Sequence, residues 1–269
     1  MFNKSHYCLL MLIFAFVGLL FSFTGPVQAS IIDASIYYGH DSVFGSSATN
    51  PASIQGYTDL HDRWNSQGAN TVITNAFNPV GQDIFLLSNP TSNLSASEIT
   101  ALQTFLGAGG FLILTHDGTI GSLNQATTDL GSSLSFGATR VANGAIAQVV
   151  DDTSPFMVGL TNGDLLNTIH PGQISGGNSL VDYPIGTSII SVESLLGGTI
   201  LGVADFDILN NVATDWFGPG IGQNNVLQFQ DNILGAATPI PEPATMLLLG
   251  TGLVGVAGVV RRRKKNQTT

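Results

Sequence analysis

The fold is decided by residues 83–118, which read DIFLLSNPTSNLSASEITALQTFLGAGGFLILTHDG. Two apolar runs of strand length, Ile84–Leu87 and Phe111–Leu114, stand near the two ends of this stretch. Uninterrupted apolar runs of this length are typical of strands buried on both faces, as in a parallel sheet. The stretch therefore predicts two core strands of one sheet.

A helix is predicted between these strands. Ser95 and Glu98 have the spacing of a capping box, in which the serine oxygen accepts from the third backbone amide and the glutamate reaches back to the amide of Ser95. Four apolar residues then share one helix face: Ile99, Leu102, Phe105 and Leu106. Gly107 and Gly109-Gly110 end the helix. Strand, helix and strand form a βαβ unit, which predicts an α/β protein with a mostly parallel, doubly wound sheet.

The same alternation extends to both sides of this unit. Before it, we predict a strand at Ala34–Tyr38, a loop at Ser42–Gly56, a helix at Tyr57–Gln67 and a strand at Thr71–Thr74. After it, we predict strands at Ile189–Val192 and Thr199–Ala204 and a last helix at Asn224–Leu234.

Residues 123–188 have a different composition, rich in Gly, Ser, Thr and Asn. Short β-like pieces occur at Ala145–Val150 and Phe156–Val158. The region is either an insertion or a weak additional sheet, and it contains no internal repeat.

Charge excludes one class of partner. The whole chain has a formal charge of −10, but six of its eight cations lie near the two ends. Residues 30–238 keep only Arg63 and Arg140 against seventeen acidic residues, a formal charge of −15. Such a surface repels nucleic acid and anionic polymers and suits cations or neutral glycans. We therefore predict no nucleic-acid partner.

The first 29 residues have the pattern of a secretory signal peptide. Lys4 precedes an apolar stretch at Tyr7–Phe23, and Val27-Gln28-Ala29 places small residues where a signal peptidase cuts. Gly25-Pro26 before this site favours cleavage after Ala29 over the alternative, an uncleaved anchor.

The last thirty residues combine a Pro-rich hinge, an apolar run and a basic end. Ala244–Val260 would rise about 26 Å as a helix, close to the thickness of a bilayer core. Five cations follow and predict a membrane stop: Arg261, Arg262, Arg263, Lys264 and Lys265. A buried core helix is the alternative, but four glycines within the run would weaken a soluble helix.

This C-terminal pattern resembles the PEP-CTERM sorting signal of bacterial surface proteins. The resemblance implies recognition by an exosortase and cleavage near Pro241, Glu242 and Pro243. It also implies export through the inner membrane, transient membrane anchoring, and then release or attachment to the cell surface or extracellular polysaccharide. We therefore expect a signal peptide at 1–29, an exported α/β domain at 30–238 and a sorting signal at 239–269.

The exported region resembles the class I glutamine amidotransferase-like fold, a flavodoxin-like architecture. The residues that carry the resemblance are Asp83–Leu87, the capped helix, Gly109-Gly110, Gly202–Asp207 with Asn210-Asn211, and the helix start at Asn224-Asn225. Catalytic members carry a cysteine on the turn after a central strand. Here that strand runs into Thr115-His116-Asp117-Gly118, and the one cysteine, Cys8, lies in the predicted signal peptide. The resemblance is therefore to non-catalytic members.

Polar residues follow three predicted strands. They are His40 and Asp41, His116 and Asp117, and Asp205 and Asp207. The carboxyl ends of parallel strands meet at one crevice, the usual ligand site, so these residues form a candidate crevice. Imidazole and carboxylate together bind a divalent metal or activate water, but strand-end Asp residues more commonly cap helices and turn histidines are commonly just exposed.

No catalytic residue, cofactor or metal is assigned from the sequence. Asp205-Phe206-Asp207 lacks the glycine and distal glutamate of a calcium loop, and no Gly-x-Ser-x-Gly or phosphate-loop motif follows a strand. We therefore favour a non-catalytic binding or structural component linked to exopolysaccharide or biofilm. The alternative is a secreted hydrolase or carbohydrate-processing enzyme that uses the His/Asp crevice.

Overall fold

The structure is a computed structural model that describes residues 31–40, 51–116, 120–137, 146–168, 172–184, 186–205, 208–209 and 222–237. The strands in these ranges are β1 (Asp33–Tyr37), β2 (Asn70–Thr74), β3 (Ile84–Ser88), β4 (Phe111–Thr115), β5 (Ser135–Gly137), β6 (Ile146–Val149), β7 (Leu165–Asn167), β8 (Gln173–Ser175), β9 (Asn178–Asp182), β10 (Ser188–Leu195) and β11 (Gly198–Val203). The helices are α1 (Pro51–Ser66), α2 (Ala96–Gly107), α3 (Gly121–Leu130) and α4 (Gln223–Ala237), with a 3-10 turn at Pro155–Met157.

One half of the sheet is parallel and has the order β2-β1-β3-β4-β11. The chain leaves β1 through α1 to β2 on one side, and leaves β3 through α2 to β4 on the other. This is a flavodoxin-like order, and its topological switch point lies between the carboxyl ends of β1 and β3. The two crossovers have the same handedness but run in opposite directions across the sheet. Helices α1 and α2 therefore lie on opposite faces of the sheet.

The other half of the sheet is antiparallel, so the prediction of a mostly parallel sheet is wrong. Leu196 and Gly197 connect β10 to β11 with positive φ angles of 57° and 98°. A two-residue turn with this geometry joins only antiparallel neighbours. Beyond β10 the order continues β9-β6-β7, again antiparallel, while β8 pairs with β10 and β5. The protein therefore has an α/β fold whose single sheet contains both parallel and antiparallel pairs of strands.

The predicted βαβ unit is confirmed. All residues of β3 and β4 are buried, and the capping box is formed, with Ser95 Oγ accepting from the amide of Glu98 at 3.3 Å and Glu98 Oε2 accepting from the amide of Ser95 at 2.7 Å. The apolar face predicted for α2 is buried in the core. Helix α2 packs against α3, and α1 packs against α4.

Three local predictions differ from the structure. Helix α1 begins at Pro51, inside the predicted loop, because proline is favoured at the first helical position. Helix α3 has no counterpart among the predicted elements. Phe156 and Met157 form a 3-10 turn after Pro155 rather than a strand, because proline at its first position suits a helical start. Strand β6 and helix α4 match their predictions within a few residues.

Both predicted membrane-directed segments, 1–29 and 244–260, lie outside the described residues. Among the residues that the structure does describe, no helix is both long enough and apolar enough to cross a membrane.

Candidate functional site

Buried polar residues are concentrated at the carboxyl edge of the parallel strands. Ser88 and Asn89 stand at the end of β3, Thr115 and His116 at the end of β4, and Asp205 follows β11. Their side chains are between 0% and 3% exposed. Asn89 has a φ angle of 28°, a conformation that Asn tolerates better than most residues. Polar groups are costly to bury, so this edge is specialised rather than an extension of the apolar core.

His116 lies beneath a covering segment, which is Gly172 immediately before β8. A Cβ atom at Gly172 would be 2.4 Å from His116 Cε1, so the glycine backbone rests directly on the imidazole ring. Phe136 contacts the ring edge-on, with centroids 5.5 Å apart. The backbone amide of Gly172 donates to the carbonyl of Ala204 at 2.7 Å, which holds the covering segment in place. His116 is therefore enclosed in this structure.

Asp205 lies close enough to Tyr183 to affect its ionisation. Burial raises the pKa of the Tyr183 phenol, the hydrogen bond with Thr168 opposes that rise, and the negative charge of Asp205 raises the pKa further. The oxygens of Thr168 and Tyr183 are 2.9 Å apart, in a fully buried pair. Asp205 thus belongs to a buried polar group with Tyr183 and Thr168.

His40 has a different environment, at the switch point. Its Nδ1 lies 2.6 Å from Ser92 Oγ and its Nε2 lies 2.9 Å from Glu98 Oε1. The imidazole and carboxylate side chains are 18% and 19% exposed, and Ser92 is exposed. The backbone amide of Thr91 donates to the His40 carbonyl at 2.8 Å, which joins the loops that follow β1 and β3.

Electrostatics in this cluster favour an ionised Glu98. Burial raises the pKa of the Glu98 carboxyl, but hydrogen bonds from His40 and Ser95 outweigh burial, and the pKa is lowered from 4.5. Tyr37, whose ring centroid lies 5.9 Å from that of His40 in a tilted arrangement, has its pKa raised to about 12 by burial and by the charge on Glu98. A carboxylate, an imidazole and a phenol therefore meet beside an exposed serine.

The structure brings His40, His116 and Asp205 to one sheet edge but gives each its own set of contacts. Asp41, Asp117 and Asp207 lie outside the described residues, as do the sorting residues 241–243 and the basic tail 261–265. Within the described ranges, no group of three or more His, Cys, Asp or Glu side chains could hold a metal ion. The His/Asp crevice therefore stays a prediction.

Sequence reasoning missed two partners of His40. The spacing of Glu98 indicates only the capping box, and Ser92 has no motif around it. The available signal was topological: the polar loop 90–93 follows β3, whose end adjoins the end of β1 at the switch point.

A pocket of 680 Å³ lies at the opposite, amino edge of the sheet. Asp83 and Gly110, which precede β3 and β4, form part of its wall together with Phe111 and Phe156. The last residues of α4, Ala236 and Ala237, complete the lining. The end of α4 therefore lies at the amino edge.

Comparison with known proteins identifies the segment that follows α4. Residues 239–264 match the family described as the PEP-CTERM protein-sorting motif. The chain carries a PEP-CTERM sorting motif. The motif implies export, transient anchoring through the C-terminal tail, and a final extracellular or surface location, with an exosortase as the processing partner. No curated protein matches the chain.

Solved structures resemble the exported region in fold alone. The mmIFT52 N-terminal domain aligns with a TM-score of 0.59 and 12% identity, covering 77% of this chain and 98% of that domain. The β-galactosidase of Rahnella sp. R3 aligns at 0.51 and 14% identity over 77% of this chain, which spans 32% of the enzyme. A ThuA-like protein from Bacteroides uniformis reaches only 0.47 at 13% identity, covering 80% of this chain and 93% of that protein. The amidotransferase-like resemblance stays an expectation.

Proposed function

We propose that an exosortase-type system sorts this protein to the cell surface or extracellular matrix, where residues 30–238 act as a binding or structural component. The observation that carries the proposal is the sorting motif at 239–264, which begins two residues after α4 ends at Ala237. A signal peptidase would remove residues 1–29, and cleavage near Pro241-Glu242-Pro243 would release the domain from its anchor.

The position of α4 supports display of the carboxyl edge. The sorting tail leaves the domain at Ala237, beside the amino-edge pocket. Only the six residues 238–243, three of them prolines, separate the end of α4 from the apolar run that begins at Ala244. The anchored form would therefore hold the amino edge near the membrane and present His40 and its neighbours away from it.

Charge indicates the kind of matrix component that would bind. With a formal charge of −15 over residues 30–238, the domain repels acidic polymers and anionic membrane surfaces. A neutral exopolysaccharide carries no such penalty. We therefore propose a neutral glycan as the extracellular partner. In this proposal the enclosed His116 and the buried Asp205 have no catalytic role.

One observation favours the hydrolase alternative: His40 is partly exposed and is hydrogen-bonded to both a serine and a glutamate. His116, in contrast, is covered by Gly172. Any chemistry at this edge would therefore involve His40 rather than His116.

Cell fractionation with mass spectrometry tests the sorting proposal. The mature chain should begin at Ser30, lack the C-terminal residues, and be found in the surface fraction, from which digestion of the exopolysaccharide should release it into the medium. Replacing Pro241, Glu242 and Pro243 by alanine should leave the tail attached and the chain in the membrane fraction, whereas Asn266→Ala should behave as wild type. Full-length chain dissolved in the cytosol would contradict the proposal.

A further inference from the structure

A serine, a histidine and a glutamate form one hydrogen-bonded chain at the switch point. Ser92 Oγ lies 2.6 Å from His40 Nδ1, and His40 Nε2 lies 2.9 Å from Glu98 Oε1. An ionised carboxylate only accepts hydrogen bonds, so Nε2 carries the proton and the neutral ring presents Nδ1 as an acceptor. Ser92 Oγ–H therefore donates to Nδ1, the arrangement in which a base withdraws the proton of a serine nucleophile.

Further hydrogen bonds, beyond those that link Ser92, His40 and Glu98, hold the imidazole of His40 and the carboxylate of Glu98. Glu98 Oε2 accepts from the backbone amide and the hydroxyl of Ser95 at 2.7 and 2.8 Å. The carbonyl of His40 accepts from the amide and the hydroxyl of Thr91 at 2.8 and 3.0 Å. The ring of His40 is therefore fixed through its backbone and through a carboxylate that is itself anchored at the start of α2.

Access separates this group from the other histidine at the edge. Ser92 is exposed, and His40 and Glu98 lie partly buried behind it, whereas His116 is only 1% exposed. The switch point is also where open α/β sheets usually bind their ligands. A small substrate can thus reach the serine oxygen from solvent.

We propose that Ser92 is the nucleophile of an ester-hydrolysing site, with His40 as its general base and Glu98 as the residue that positions His40. Ser92 Oγ attacks the ester carbonyl while its proton passes to His40 Nδ1. The C–O bond to the alcohol breaks, the alcohol leaves with that proton, and the acyl group stays on Ser92. Water then attacks the acyl group, giving a proton to His40, and the carboxylic acid leaves as Ser92 regains its proton.

The surroundings define the substrate class. The twelve-residue helix α2 begins at Ala96, four residues beyond Ser92 and directly after the cap Ser95, and its positive end favours negative charge developing on a carbonyl oxygen. The acidic surface disfavours anionic substrates. We therefore assign an uncharged ester, such as an O-acylated neutral carbohydrate. This activity goes beyond the proposed display function, and its absence would leave sorting intact.

A fluorophosphonate probe with peptide mapping tests the nucleophile on the mature chain purified from the producing cells. We expect the label on Ser92 and measurable hydrolysis of p-nitrophenyl acetate. Ser92→Ala and His40→Gln should each lower the rate by about 100-fold or more. Ser66→Ala, which removes an exposed serine hydroxyl at the end of α1, is the control and should keep the wild-type rate.

The positioning role of Glu98 has its own measurement. Glu98→Gln keeps an oxygen acceptor at this position but removes the charge, so kcat should fall while KM stays unchanged. Labelling of a different residue, or a wild-type rate in Ser92→Ala, would overturn the proposal. Neither result would alter the location of the protein, so it would leave the sorting proposal standing.

Discussion

Arg63 on α1 and Asp231 on α4 form a two-point ion pair across 168 residues of sequence. Arg63 Nε and Nη2 donate to Asp231 Oδ1 and Oδ2 at 2.6 and 2.7 Å, and Nη2 also donates to the carbonyl of Leu227 at 3.2 Å. Gln67 donates to the same carboxylate. The helix that leads to the sorting motif is thereby attached to the first helix of the domain.

The Arg63–Asp231 pair should contribute measurably to stability. Its side chains are 27% and 30% exposed, which weakens the pair relative to a buried one, but bidentate geometry strengthens it. Arg63→Met keeps the apolar stem and should lower the free energy of unfolding by about 1–2 kcal/mol in urea titrations. In a double-mutant cycle with Asp231→Asn, the two losses should not add, and strict additivity would show that the contact is energetically silent.

Glu98 should make the domain less stable in acid. Because its pKa is lower in the folded state than the usual 4.5, the carboxylate contributes stability above that value and loses it as the pH falls through the folded pKa. Glu98→Gln removes this titration. The wild-type Tm should therefore fall more than that of the variant between about pH 6 and about pH 3. Parallel Tm curves would contradict the coupling of Glu98 to His40 and Ser95.

Gly172 should not tolerate a larger side chain. A Cβ atom there would lie 2.4 and 2.6 Å from His116 Cε1 and Nε2, and 2.9 Å from the carbonyl oxygen of Gly137. Gly172→Ala should therefore lower the free energy of unfolding by about 1–3 kcal/mol, since this site is already filled.

Gly107→Ala is the matched control for that substitution. Gly107 is the last residue of α2, and a Cβ atom there would meet nothing within 4 Å, so the change should be neutral or stabilising by about 0.4–1 kcal/mol. If Gly172→Ala and Gly107→Ala changed the free energy of unfolding equally in chemical denaturation, this would show that the side chain of His116 moves aside easily and that the covering segment is loosely packed.

Predictability differed sharply between the two halves of the sheet. The unit from β3 to β4 was predicted because its apolar runs, capping box and glycines act over a few residues. The turn at Leu196-Gly197 was missed because leucine is an unusual residue at φ 57°. The six residues between the two predicted strands are nevertheless too few for the crossover that parallel neighbours need, so antiparallel pairing here was predictable from the sequence. Helix α3 was missed because its ten residues are mostly small and polar.

The candidate site shows the same division. The topology predicted from sequence places His40 at the carboxyl edge, and in the structure His40 follows β1, which ends at Tyr37. It could not predict that Ser92, 52 residues away in the chain, would meet Nδ1, or that the capping-box glutamate would also bind Nε2. Such contacts depend on how two loops pack, which no short sequence pattern encodes.

The sequence by itself determined the sorting address, the acidic thiol-free composition of the exported region and the elements of the parallel half, because charge, hydropathy and local capping act between near neighbours. The tertiary structure alone decided the order of the strands beyond β10, the enclosure of His116 and the pairing of Ser92 with His40. Those features require segments distant in sequence to pack together, and their geometry follows from the whole core rather than from any one stretch.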